Sequence, residues 1–214
     1  MWNGRFTSCM SILGALLLLI GTLFHPPLTN PWDVSYAFKK MISHHNWILD
    51  HWIFFGGLLL WLLGLAHLAN SYSTSDKLHS SGGRTAANCF VGSLIIWSMI
   101  MAMEIAVLPP LSHSAILNGE NARLIWDVLF TWGLFAGYIG MAFVYIGILY
   151  LSYLSMGVQK VLAIISGMIG VIGIIITLLI PDVSLMVQLS TAPFPYLWTV
   201  WFSLKPNTRN NAPE

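Results

Sequence analysis

Residues 47–68 read WILDHWIFFGGLLLWLLGLAHL, twenty-two positions in which Asp50 is the one acidic residue and no lysine or arginine occurs. A helix needs about 20 apolar residues to cross a hydrocarbon core of about 30 Å, because lipid offers no partner to unpaired backbone groups. This stretch therefore predicts a transmembrane helix, and it sets the scale for reading the rest of the chain.

The same criterion selects residues 8–24, 88–108, 124–154 and 161–180. A sixth run, 183–204, is long enough but holds Pro193 and Pro195, each of which removes a backbone donor and crowds the preceding turn, so it is expected to be kinked or broken. The expectation is an all-α, polytopic transmembrane bundle of six spans, occupying residues 1–214 as one membrane domain with a disordered tail at 206–214. Composition agrees: of the 214 residues 57% are hydrophobic and 8% charged, with a mean hydropathy of +0.74, where soluble domains carry about a quarter charged residues. The first run follows Arg5 as a signal peptide would. It leads into His25-Pro26-Pro27 with no small-x-small cleavage site, so it reads as a retained span.

With the N-terminus inside, the cytoplasmic segments hold Arg5, Lys77, Arg84, Lys160, Lys205 and Arg209, and the outer segments hold Lys39, Lys40 and Arg123. That bias places both termini in the cytoplasm. It makes an integral protein of the bacterial inner membrane the expected setting. Nine basic residues against eight acidic ones form no tract for nucleic acid, so the expected partners are the lipid bilayer and other membrane subunits. Cys9 and Cys89 are too far apart for a CxxC motif. The first outer loop is expected to hold a short interfacial helix near residues 32–42, with Trp32, Tyr36 and Phe38 at the interface.

A weak internal repeat is visible. Phe24-His25-Pro26-Pro27-Leu28 corresponds to Val107-Leu108-Pro109-Pro110-Leu111, and each returning span opens with Trp and Asp, Trp47 with Asp50 and Trp126 with Asp127. A duplicated hairpin would account for this; so would local preferences for proline after a helix and for an acid in a first turn. Gly133 with Gly137, and Ser166 with Gly170, are small-residue pairs expected to serve packing within the chain.

The unusual chemistry lies on the outer side. His25, His44, His45, His51 and His113 all map there, with Asp50, Glu104 and Asp127 at a similar level. Glu104 stands five residues before Pro109, about 7 Å inside the outer end of its span at 1.5 Å per residue. A buried ionisable group of this kind costs at least roughly 2.5 kcal/mol at a helix centre, so it calls for an interior position and a partner. Its neighbours Met99, Met101 and Met103 add thioether groups, with Met99 and Met103 on one face.

Three functional readings follow. In the first, a redox or accessory subunit binds haem b through His25 and His51 as axial ligands, or a transition metal ion (Cu, Zn or Fe) through His25, His44, His45, His51, Glu104 and Asp127. In the second, the chain is a structural subunit of a larger membrane complex without a cofactor. In the third, Glu104, Asp127 and the histidines serve a proton or small-solute transporter, with the proline-broken last span supplying free backbone groups. The bland readings stand beside these: His44, His45 and His113 as solvated loop residues, Asp50 and Asp127 as helix-start acids, and Arg123 as an ion-pair partner four residues before Asp127. His67, sixteen residues after His51, falls roughly 160° away on the helix and has no second inner histidine. No P-loop, GxGxxG, HExxH, GxSxG or CxxCH occurs, so whether the chain is an enzyme stays open.

Overall fold

A computed structural model describes residues 4–24, 33–72, 77–157, 159–179 and 193–204. Eight helices are present among them: α1 Gly4–Phe24, α2 Val34–Ser43, α3 Trp47–Ser71, α4 Lys77–Ala106, α5 Leu108–Asn118, α6 Glu120–Ser155, α7 Lys160–Leu179 and α8 Pro193–Ser203. No strand occurs in the described residues. Four stretches are long and apolar enough to cross a membrane, namely α3, the run Ser80–Leu117 through α4 and α5, α6, and residues 160–178 of α7. His25, Trp32, residues 183–192 and the tail at 206–214 lie outside the described residues.

The long helices pair as antiparallel neighbours, and the small residues set the register. A Cβ on Gly14 would fall on the Trp61 backbone, one on Gly64 on Ser11, one on Gly57 on Leu18, and one on Gly21 on the Phe54 ring. Each step forward along α1 is thus matched by a step back along α3. The same holds for α4 and α6, where Gly147 faces Phe90, Gly137 and Gly140 face Trp97, and Gly133 faces Met103. Gly170 and Gly173 of α7 receive Leu149 and Tyr145 of α6. Without a hydrophobic drive between helices in lipid, close backbone approach supplies the dispersion contacts that hold such pairs. Gly133 and Gly137 therefore serve packing within the chain.

Two short helices ride on one end of the long helices, the end expected from the distribution of basic residues to face outward and called outer for that reason. α2 starts at Asp33, whose carboxylate accepts from the Tyr36 N–H at 3.2 Å, which satisfies one of the free donors of the first turn. Tyr36 is exposed but Phe38 is buried, set edge-on against Trp126 at 4.9 Å, so Phe38 is a core residue and not an interfacial one. In the second hairpin the chain does not leave the helix at Pro109-Pro110. α4 ends at Ala106 and α5 begins at Leu108, with the prolines in its first turn. In an unbroken helix these residues would owe N–H bonds to Ile105 and Ala106; lacking them, they force the break and then suit a helix start. Both hairpins thus run long helix, short helix, long helix.

α8 likewise begins at its prolines, with Pro193 and Pro195 where no intrahelical donor is needed. It packs chiefly against α1 and reaches the second half of α3 through side chains: Trp61 Nε1 donates to Thr199 Oγ1 at 2.8 Å, and Tyr72 meets Phe202. Trp198 Nε1 donates to Ser166 Oγ on α7 at 2.9 Å. Eleven residues reach only about 17 Å, roughly half a bilayer core.

The buried side chains form one large cluster through α1, α3, α4, α6 and α8. A separate outer cluster gathers Phe38, Met41, Trp47, Met103, Leu108, Trp126 and Phe130. The candidate site lies at the edge of that outer cluster.

Candidate functional site in the outer half

α2 ends at His44, and a corner of His44, His45 and Asn46 turns the chain into α3. Asn46 stands at the cap position without a side-chain capping bond, and Asp50 occupies the first turn, where the helix dipole favours an acid. The Asp50 carboxylate bonds His44 Nε2, so α2 and α3 are joined across their corner by a half-buried pair.

One turn deeper, His51 is 3% exposed. Its ring stacks on Trp47 at 4.4 Å between centroids, as residues four apart on a helix do. His51 Nδ1 lies 2.7 Å from the Trp47 carbonyl oxygen. A carbonyl can only accept, so Nδ1 carries the proton; in the neutral ring Nε2 is then a bare acceptor. Nε2 points across to α4, where Glu104 Oε2 lies at 3.8 Å. The Trp47 indole closes the triangle by donating from Nε1 to the Glu104 backbone carbonyl at 3.0 Å.

Glu104 is 8% exposed, and its Oε2 has no hydrogen-bond partner among the described residues. A separation of 3.8 Å is too long for a hydrogen bond yet short enough for one to form on a small shift. Two facing acceptors in a low-dielectric interior repel unless a proton or cation lies between them, and a net charge there is expensive. The pair is therefore at lowest cost when its two members share one proton. Chemically, such an arrangement is able to pass a proton between a ring nitrogen and a carboxylate oxygen.

The other candidate residues are placed elsewhere. Asp127 accepts from Arg123 Nε at 2.6 Å, and the Arg123 guanidinium lies over the Phe38 ring at 3.9 Å; this pair fastens α2 to α6. His45 and His113 are exposed and face a common outer groove. His67 is exposed on the inner half of α3. Met99 is 56% exposed and Met103 is buried in the outer cluster, so the two do not converge on Glu104. Of the six residues considered as metal ligands, the structure brings together His51 and Glu104; His44 goes to Asp50, Asp127 goes to Arg123, and His25 is outside the described residues. Among the described residues no three His, Cys, Asp or Glu side chains gather as a metal site requires.

Sequence reading missed Trp47 as a member of the site. The signal was present in its four-residue spacing to His51, but tryptophan at a span end reads equally well as an interfacial anchor. Set beside known protein families, curated proteins and solved structures, the chain finds no match.

Proposed function

We propose that this chain is a polytopic membrane protein that moves protons, alone or together with a small polar solute, and that His51 and Glu104 are the exchanging groups. One observation carries the reading: a buried imidazole nitrogen 3.8 Å from a buried carboxyl oxygen, the two groups coming from different helices. Paired ionisable groups inside a bilayer are expensive and mark relays and substrate paths.

A redox or accessory subunit holding haem b or a metal ion fits less well. Glu104 sits on the side of His51 that an axial iron would take, and a metal ion would need ligands beyond this pair. We further propose that α1, which matches α3 along its length, is a crossing helix, that residues 183–204 form a proline-broken sixth crossing, and that both termini face the cytoplasm of a bacterial inner membrane.

The test is proton movement in sealed vesicles containing the full chain and an enclosed pH-sensitive dye. Glu104→Gln and His51→Ala are each expected to slow the protein-dependent flux about a hundredfold, the range of general acid–base effects. Wild-type flux in both variants would overturn the assignment.

A further inference from the structure

A groove of about 610 Å³ opens between the start of α3 and α5 on the outer side, lined among others by His44, His45, Trp47, Trp52, Ser112 and His113. Of these lining residues Trp47 also touches the buried pair, through its stack on His51 and its bond to the Glu104 carbonyl. The same indole also meets the His44 ring edge-on at 6.4 Å. The side chains of His44 and Asp50 are 26% and 13% exposed, those of His51 and Glu104 4% and 10%. A half-buried His–carboxylate pair and a more deeply buried one thus both adjoin one side chain.

We infer that Trp47 is the outer gate of this site: the groove is its vestibule, and the indole is the barrier between the groove and the His51–Glu104 pair. Trp47 is the first residue of α3 and follows a corner whose Asn46 makes no side-chain cap, so it sits on the part of the helix most easily opened. Its indole bond to the Glu104 carbonyl ties closure to α4. The purpose of the gate rests on the proton-exchange reading, but the barrier itself is measured separately.

The experiment uses the full chain in lipid nanodiscs and diethyl pyrocarbonate, a water-soluble reagent that acylates a bare imidazole nitrogen, with the sites quantified by peptide mass spectrometry. In the wild type, His45 and His113 react readily and His51 slowly. Trp47→Ala is expected to raise the His51 rate at least about tenfold, the change that follows from removing roughly 1.4 kcal/mol of local closure. Trp47→Phe keeps a ring over His51 and raises it less. Trp126→Phe, which alters the corresponding stack of α6, leaves it unchanged.

An unchanged His51 rate in Trp47→Ala overturns the gate, as does an equal rise in Trp126→Phe, which would report general loosening. Opening of His51 in a protein that carries no protons would keep the gate and sink the proton reading. Proton flux abolished by Glu104→Gln, with His51 unmoved by Trp47→Ala, would do the reverse.

Discussion

The starts of α3 and α6 are built alike and used differently. Each carries a buried tryptophan that stacks on the ring four residues later: Trp47 on His51 at 4.4 Å, Trp126 on Phe130 at 4.9 Å. Each follows a short outer helix. In α3 the second ring is an imidazole, and the indole N–H is bonded to Glu104. In α6 the second ring is a phenyl, and the indole N–H is buried with no hydrogen-bond partner among the described residues. Where the stack is apolar it anchors α2 through Phe38 and Arg123. Where one ring is polar, the same scaffold holds a His–carboxylate pair. The lesson is that a repeated packing unit sets the depth and orientation of a side chain, and a single residue choice then decides whether that place is structural or chemical.

The largest effect expected from breaking this comparison is at Trp126, which is fully buried. Trp126→Ala leaves a cavity in the outer cluster and should cost about 3–5 kcal/mol, read as a lowered midpoint of denaturant or thermal unfolding in lipid. The hairpins differ too: α1 and α3 close on backbone at Gly14, whereas α4 and α6 close on a ring at Gly147. Gly14→Ala is expected to cost about 1–3 kcal/mol, and Gly147→Ala less, because a phenyl edge shifts more easily than a backbone. Converting one start into the other is the sharpest comparison. His51→Phe keeps the stack, should change stability by less than about 1.5 kcal/mol, and should slow proton flux about a hundredfold, as His51→Ala does. The smallest effect is at Asp127, whose ion pair with Arg123 is about a third exposed. Asp127→Asn should cost about 1 kcal/mol or less and leave flux intact.

Much of the fold was legible in the sequence, because lipid imposes a length rule that apolar runs must satisfy. The runs at 8–24, 47–68 and 124–154 fall within observed helices, the run at 88–108 lies in α4 up to the break after Ala106, the run at 161–180 lies in α7 as far as Leu179, and Arg123 pairs with Asp127 as the four-residue spacing foretold. Boundaries were less legible. Pro109-Pro110 reads as a stop, and only the packed structure shows a helix restarting there. α6 begins at Glu120, four residues before its apolar run, because polar residues continue a helix past the hydrocarbon edge. At the site, the level of His51 and Glu104 followed from counting residues, but their meeting did not. Pairing between helices depends on the α3–α4 rotation, which spacing within one helix does not encode. The same gap put His44, His51 and Asp127 into one candidate ligand set, although they belong to three separate pairs.

The central claim is that His51 and Glu104 act as one unit. Ring-nitrogen NMR on histidine-labelled protein in bilayers tests it most directly, by comparing the wild type with Glu104→Gln. We predict a protonated Nδ1 on His51, a displaced His51 Nε2 resonance in the variant, and unmoved signals for His45 and His113. A His51 spectrum indifferent to Glu104→Gln would contradict the account.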